Sequence, residues 1–82
     1  MKEKNKTNLI EIEKGVLYMC DDRLGEIKII ARTLEISEEE VKKILKKLCK
    51  LNYTDSDNQT TFEGKTFLET NKISKEILDK II

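Results

Sequence analysis

The stretch Glu26-Ile27-Lys28-Ile29-Ile30-Ala31-Arg32-Thr33-Leu34-Glu35-Ile36-Ser37-Glu38-Glu39-Glu40-Val41 decides how this chain is read. From Ile27 or Lys28 to Glu35, the residues Ile27, Ile30, Ala31 and Leu34 recur at helical spacing and define an inner face. Ile36 interrupts that period and is expected to drop into the core. Ser37 then stands where a helix cap belongs, and Glu40 completes a Ser-x-x-Glu capping box. Beyond it, Val41, Ile44, Leu45, Leu48 and Leu51 form one apolar stripe with Cys49 at its edge. Lys42, Lys43, Lys46, Lys47 and Lys50 cover the other side together with Glu39. The pattern predicts a third helix over 38–51, joined to its predecessor by a tight turn.

Working outward toward the N-terminus, Thr7 or Asn8 is expected to cap a first helix over 8–21. Leu9, Ile12, Val16, Met19 and Cys20 share an arc that Ile10 and Leu17 widen. Two residues sit oddly in it. Gly15 falls mid-helix, and Glu13 lies inside the apolar arc. Either the arc holds two apolar seams, or Glu13 snorkels past them, or the helix begins elsewhere. Asp21-Asp22-Arg23-Leu24-Gly25 reads as a turn, and residues 1–6 as a disordered N-terminus.

In the other direction the period changes. Asn52-Tyr53-Thr54-Asp55 reads as a short strand, Ser56-Asp57-Asn58 as a turn and Gln59-Thr60-Thr61 as the returning strand. This hairpin carries no arginine or lysine. From Phe62 the pattern is helical again, with Phe62 and Phe67 expected to anchor it to the core. Phe67, Thr70, Ser74, Ile77 and Ile81 fit the a and d places of a heptad, flanked by Ile73 and Leu78. Two arrangements stay open: one helix over 62–81, or a break near Thr70-Asn71. Residues 70–82 are read as a C-terminal helix in which Ile73, Ile77, Leu78 and Ile81 form a dimerisation seam. The alternative is that this helix folds back on the first.

Eighty-two residues make a single domain, here 7–69 plus the terminal helix. Sixteen Lys and Arg balance sixteen Asp and Glu, so any attraction to a polyanion must be local. The absence of histidine removes the commonest general base and metal ligand. The two cysteines cannot complete a tetrahedral zinc site alone. They read as small buried hydrophobes at the ends of two stripes, with a disulfide or a redox pair as the sharper alternatives. No apolar run approaches the roughly 20 residues that span a bilayer, and no signal-peptide core follows the charged start. The chain is therefore expected to be cytoplasmic, off the membrane and not an enzyme, with no metal, cofactor or small-molecule ligand.

Helices, hairpin and final helix follow in the order of a winged helix-turn-helix domain. Residues 26–37 resemble the second helix and turn of that family, in which an alanine faces the third helix and a Leu-x-Ile-Ser segment turns. Thr61-Phe62-Glu63-Gly64-Lys65-Thr66-Phe67-Leu68-Glu69 resembles the family's Thr-x-x-Gly-x-x-Phe-Leu-Glu signature at the end of the wing. The chain is similar in this to small archaeal winged-helix and MarR- or PadR-like regulators. It departs from the pattern at Glu35, where such turns often hold glycine or asparagine, and in a short acidic wing with Asp55 and Asp57.

The resemblance implies a mainly α domain with a small β-hairpin: a three-helix core, a short wing and a C-terminal helix. It implies a homodimeric transcriptional regulator that inserts its third helix into the major groove of double-stranded DNA. Lys42, Lys43, Lys46 and Lys47 would then meet phosphates, and Ser37, Glu38 and Glu39 would lie nearest the bases. Arg32 and Thr33 would reach the backbone from the second helix. A dimer would space its half-sites by one duplex turn, roughly 34 Å. The charge distribution is consistent with this, since the five lysines of 37–50 outnumber its three glutamates. Against it, glutamates at a helix start stabilise the helix with no ligand at all. The Glu38–Lys42 and Glu39–Lys43 spacings also suit an ordinary solvated face. The competing expectation is a winged-helix module that binds protein instead of DNA.

Overall fold

The computed structural model describes residues 9–21 and 26–82. The expectations for residues 1–6, for a cap at Thr7 or Asn8, and for most of the turn at 21–25 lie outside them. The described chain is mainly helical: α1 (Glu11–Asp21), α2 (Ile27–Leu34), α3 (Glu38–Lys50), α4 (Phe62–Thr70) and α5 (Lys75–Ile81). The core is the meeting of the α1, α2 and α3 apolar faces, with Val16, Leu17, Ile30, Val41 and Leu48 fully buried in it.

Glu13 explains its own position in the apolar arc. One carboxylate oxygen accepts the Ile10 backbone N–H at 3.0 Å, closing the first turn of α1 in the manner of a capping box. The same carboxylate receives the Lys47 ammonium of α3 at 2.9 and 3.0 Å. The buried charge is thus paired and hydrogen-bonded, which is the condition for tolerating it.

The link between α2 and α3 is short. Glu35 adopts a left-handed conformation (φ 61, ψ 45), and the Ala31 carbonyl accepts both the Glu35 and the Ile36 amide hydrogens. This stops α2 as a glycine would, at a steric cost that glycine avoids. Ser37 then caps α3, its hydroxyl accepting the Glu40 amide at 3.1 Å. The far end of α3 closes similarly. Asn52 is left-handed (φ 67), with Asn52 N–H donating to Cys49 and Tyr53 N–H to Leu48.

The expected hairpin reduces to much less than two strands. Its β pairing among the described residues is one isolated antiparallel bridge, Thr54 to Thr60. Asn52, assigned above to the first strand, instead terminates α3. The return is made by a side chain: one Asp55 carboxylate oxygen accepts the Asp57 and Gln59 amides at 2.9 and 3.0 Å. Asn58, also left-handed (φ 61), completes the turn.

The C-terminal region is two helices, not one. At the end of α4 the Asn71 side-chain amide donates to the Phe67 carbonyl at 3.0 Å, and the Thr70 hydroxyl to the Thr66 carbonyl at 3.2 Å. Such local bonds compete with helix continuation. Ser74 then caps α5. This helix folds back on α1 and α2, and Ile77 is buried against Gly15. A Cβ at Gly15 would lie 2.7 Å from Ile77 Cγ2, so the mid-helix glycine is the notch that admits α5. Of the expected dimerisation seam, Ile77 serves the protein's own core, and Ile73, Leu78 and Ile81 are half-buried. Phe62 does not anchor α4: it is 82% exposed, while Phe67 stacks on Tyr53 with ring centroids 4.9 Å apart.

Candidate nucleic-acid interface

α3 presents its charged face to solvent because its apolar stripe is used up on α1 and α2. Lys42, Lys43, Lys46 and Lys50 are exposed, and none forms an ion pair among the described residues. Lys47 is different. Its ammonium is paired with the Glu13 carboxylate at 2.9 Å, so, although the side chain is 45% exposed, a phosphate there would compete with an internal partner. The i,i+4 pairs Glu38–Lys42 and Glu39–Lys43 do not close, which leaves Lys42 and Lys43 unclaimed.

The other sequence-chosen residues divide. Arg32 is exposed on α2 and shares a shallow hollow with Ser37 and Glu38. Thr33 is half-buried. The Ser37 hydroxyl is already occupied as the α3 cap, although its residue is exposed. Glu38, Glu39 and Glu40 are all exposed in the first turn of α3, where carboxylates favour the helix N-terminus.

Lys28 was not among the residues picked from the sequence. It borders the hollow with Arg32 on one side, and on the other a groove that also contains Lys42 and the turn residues Asp57, Asn58 and Gln59. Its four-residue spacing from Arg32 on the solvent side of α2 was the available signal. The site is electrostatically mixed, since Glu26, Glu38 and Asp57 line the same groove as Lys28 and Lys42.

The two cysteines are not bridged. Cys20 is buried, and burial, followed by the charges of Asp21 and Asp55, pushes its thiol pKa up to about 11. Cys49 is exposed on α3. At neutral pH Cys20 is an inert thiol, and a sensing pair gains no support. Among the described residues no cluster of three or more His, Cys, Asp or Glu could hold a metal ion, and no helix is long and apolar enough to cross a membrane.

No protein-family model, curated protein or solved structure matches this chain.

Proposed function

We propose that this chain is a winged helix-turn-helix DNA-binding protein, a transcriptional regulator that lays α3 into the major groove of a duplex. The observation that carries the reading is the row Lys42, Lys43, Lys46 and Lys50, exposed and without ion-pair partners among the described residues, on one helix of a molecule with no net charge. The tight turn before α3 and the bridged return after it support the assignment, as does the basic pair Lys28 and Arg32 beside the α3 start. A 13-residue helix is about 20 Å long and fits a groove about 12 Å wide.

Phosphate contacts by lysine supply affinity that falls steeply with salt. Base readout would be left to Glu38 and Glu39, which can accept from a cytosine amino group. The competing protein-binding reading draws on the Glu38–Glu40 carboxylates and the acidic turn at Asp55 and Asp57.

Anisotropy titrations with a labelled duplex across a salt series separate the two. Binding is expected with a log–log salt slope that loses about one unit for each of Lys42→Glu, Lys43→Glu and Lys46→Glu. Lack of binding at about 50 mM salt, or an unchanged slope in all three variants, overturns the DNA reading.

A further inference from the structure

The ion pair that joins α1 to α3 is lopsided. The Lys47 side chain is 45% exposed and the Glu13 side chain 11%, so the ammonium is open to solvent while the carboxylate is largely shut off from it. The two duties of Glu13 make different demands. Closing the first turn of α1 needs only an acceptor for the Ile10 amide, which a neutral glutamine would supply. The charge has another counterpart: the two carboxylate oxygens lie 2.9 and 3.0 Å from the Lys47 ammonium. Neither residue takes part in a further ion pair among the described residues. Stability alone is a poor reason for such a pair, because well-packed apolar replacements are often neutral or better.

Lys47 stands one helical turn from Lys43 and from Lys50, so it belongs to the same basic row. In the proposed complex, phosphates come within reach of that row. A phosphate that takes Lys47 must leave the Glu13 charge buried and uncompensated, a larger cost than giving up an exposed pair. The carboxylate therefore occupies one of the five α3 lysines in the way a phosphate would.

We infer that Glu13 is an internal competitor for the nucleic-acid backbone: by withholding Lys47, it keeps the affinity of α3 for a duplex below what its five lysines would give. The inference rests on the DNA-binding reading and adds to it a contact within the protein that limits it. Glu13 meets no ligand itself and acts through Lys47.

Anisotropy titrations of the full chain with a labelled duplex across a salt series test it on Glu13→Gln, Lys47→Gln and the double variant beside the wild type. Glutamine at 13 can still accept the Ile10 amide, and glutamine at 47 can still donate to Glu13, so helical circular dichroism should be unchanged. Glu13→Gln should tighten binding about fivefold at roughly 100 mM salt and steepen the log–log slope by about one unit, as one more phosphate contact requires. Lys47→Gln alone should leave the slope as it is, whereas Lys43→Gln should lower it by about one unit. In the double variant the gain should vanish, which separates release of Lys47 from the mere loss of a negative charge. A wild-type slope in Glu13→Gln overturns the inference and leaves the DNA reading standing. So does a gain that survives in the double variant, or a Lys47→Gln slope that falls as the Lys43→Gln slope does. Absence of binding by both the wild type and Glu13→Gln at about 50 mM salt instead overturns the DNA reading, and this inference with it.

Discussion

Helices α3 and α5 both begin at a serine whose hydroxyl accepts an amide three residues on, at 3.1 Å for Ser37 and 3.4 Å for Ser74. Their attachments differ in kind. α3 buries Val41, Ile44, Leu45 and Leu48 along its whole length, whereas α5 buries Ile77 alone, seated where Gly15 has no side chain. Beside that anchor, the half-buried Ile81 also touches the core, and polar contacts tie α5 further. Glu11 accepts the Ser74 amide at 2.9 Å, and Lys80 meets Glu35 at 3.0 Å. A helix held by a stripe shares the stability of the whole core. One held by a notch and a few tethers can leave while the rest stays folded.

The sharpest way to separate them is Leu48→Ala. The cavity it leaves in the core should cost about 2–5 kcal/mol and lower amide protection in every helix together, as followed by hydrogen exchange and thermal melting. Gly15→Ala should cost less, about 1–3 kcal/mol from overpacking, partly offset by better helix propensity. Its exchange signature should be confined to 75–81. Adding Ile77→Leu, which removes the clashing γ-methyl branch, should restore much of the loss. Equal loss of protection in α3 would show that the two helices unfold as one.

Acid should act on α5 before α3. The backbone hydrogen bond from Ser74, opposed by some desolvation and aided by Lys14, holds the Glu11 carboxyl below its ordinary value of 4.5. Because the folded value is the lower one, the contribution is present above the unfolded pKa and disappears as pH falls through the folded pKa. Amide protection factors in 75–81, corrected for the intrinsic exchange rate at each pH, should therefore fall below about pH 4.5, and Glu11→Gln should lessen that pH dependence while α3 is unaffected. The smallest expected effect is a gain. Glu35→Gly relieves the left-handed strain but gives up an exposed ion pair and adds unfolded-state freedom. A net increase of about 0.5–1 kcal/mol in chemical denaturation would follow.

Much of this contrast can be read from the sequence on the α3 side. The stripe from Val41 to Leu48 is local information, and Ser37 is recognisable as a cap by type and place. Glu35 stands out because the turn wants a residue that tolerates positive φ, and the structure puts that conformation there. Gly15 and Glu13 are conspicuous in the sequence, but their reasons, Ile77 and Lys47, lie in other helices that no local window contains. Phe62 stays in solvent for a geometric cause. Five residues separate it from Phe67, about 140° around a helix, so both cannot face the core. The break after Thr70 turns on whether Asn71 and Thr70 bond to nearby carbonyls, a competition that composition leaves undecided. Among the candidate interface residues the exposure of Lys42, Lys43 and Lys46 was legible. The capture of Lys47 by Glu13 was not, because it joins two helices.

Gly64 has a consequence of a different sort. A side chain there would collide with the Tyr53 backbone carbonyl and with Thr60, while Thr61 bonds both the Gly64 amide and the Asn52 carbonyl. The exit from α3, the bridged return and the first turn of α4 are therefore one interlocked piece. A chimera that borrows a longer return loop from another protein should transplant residues 52–64 as an intact cassette, because a cut anywhere inside it separates a lock from its key.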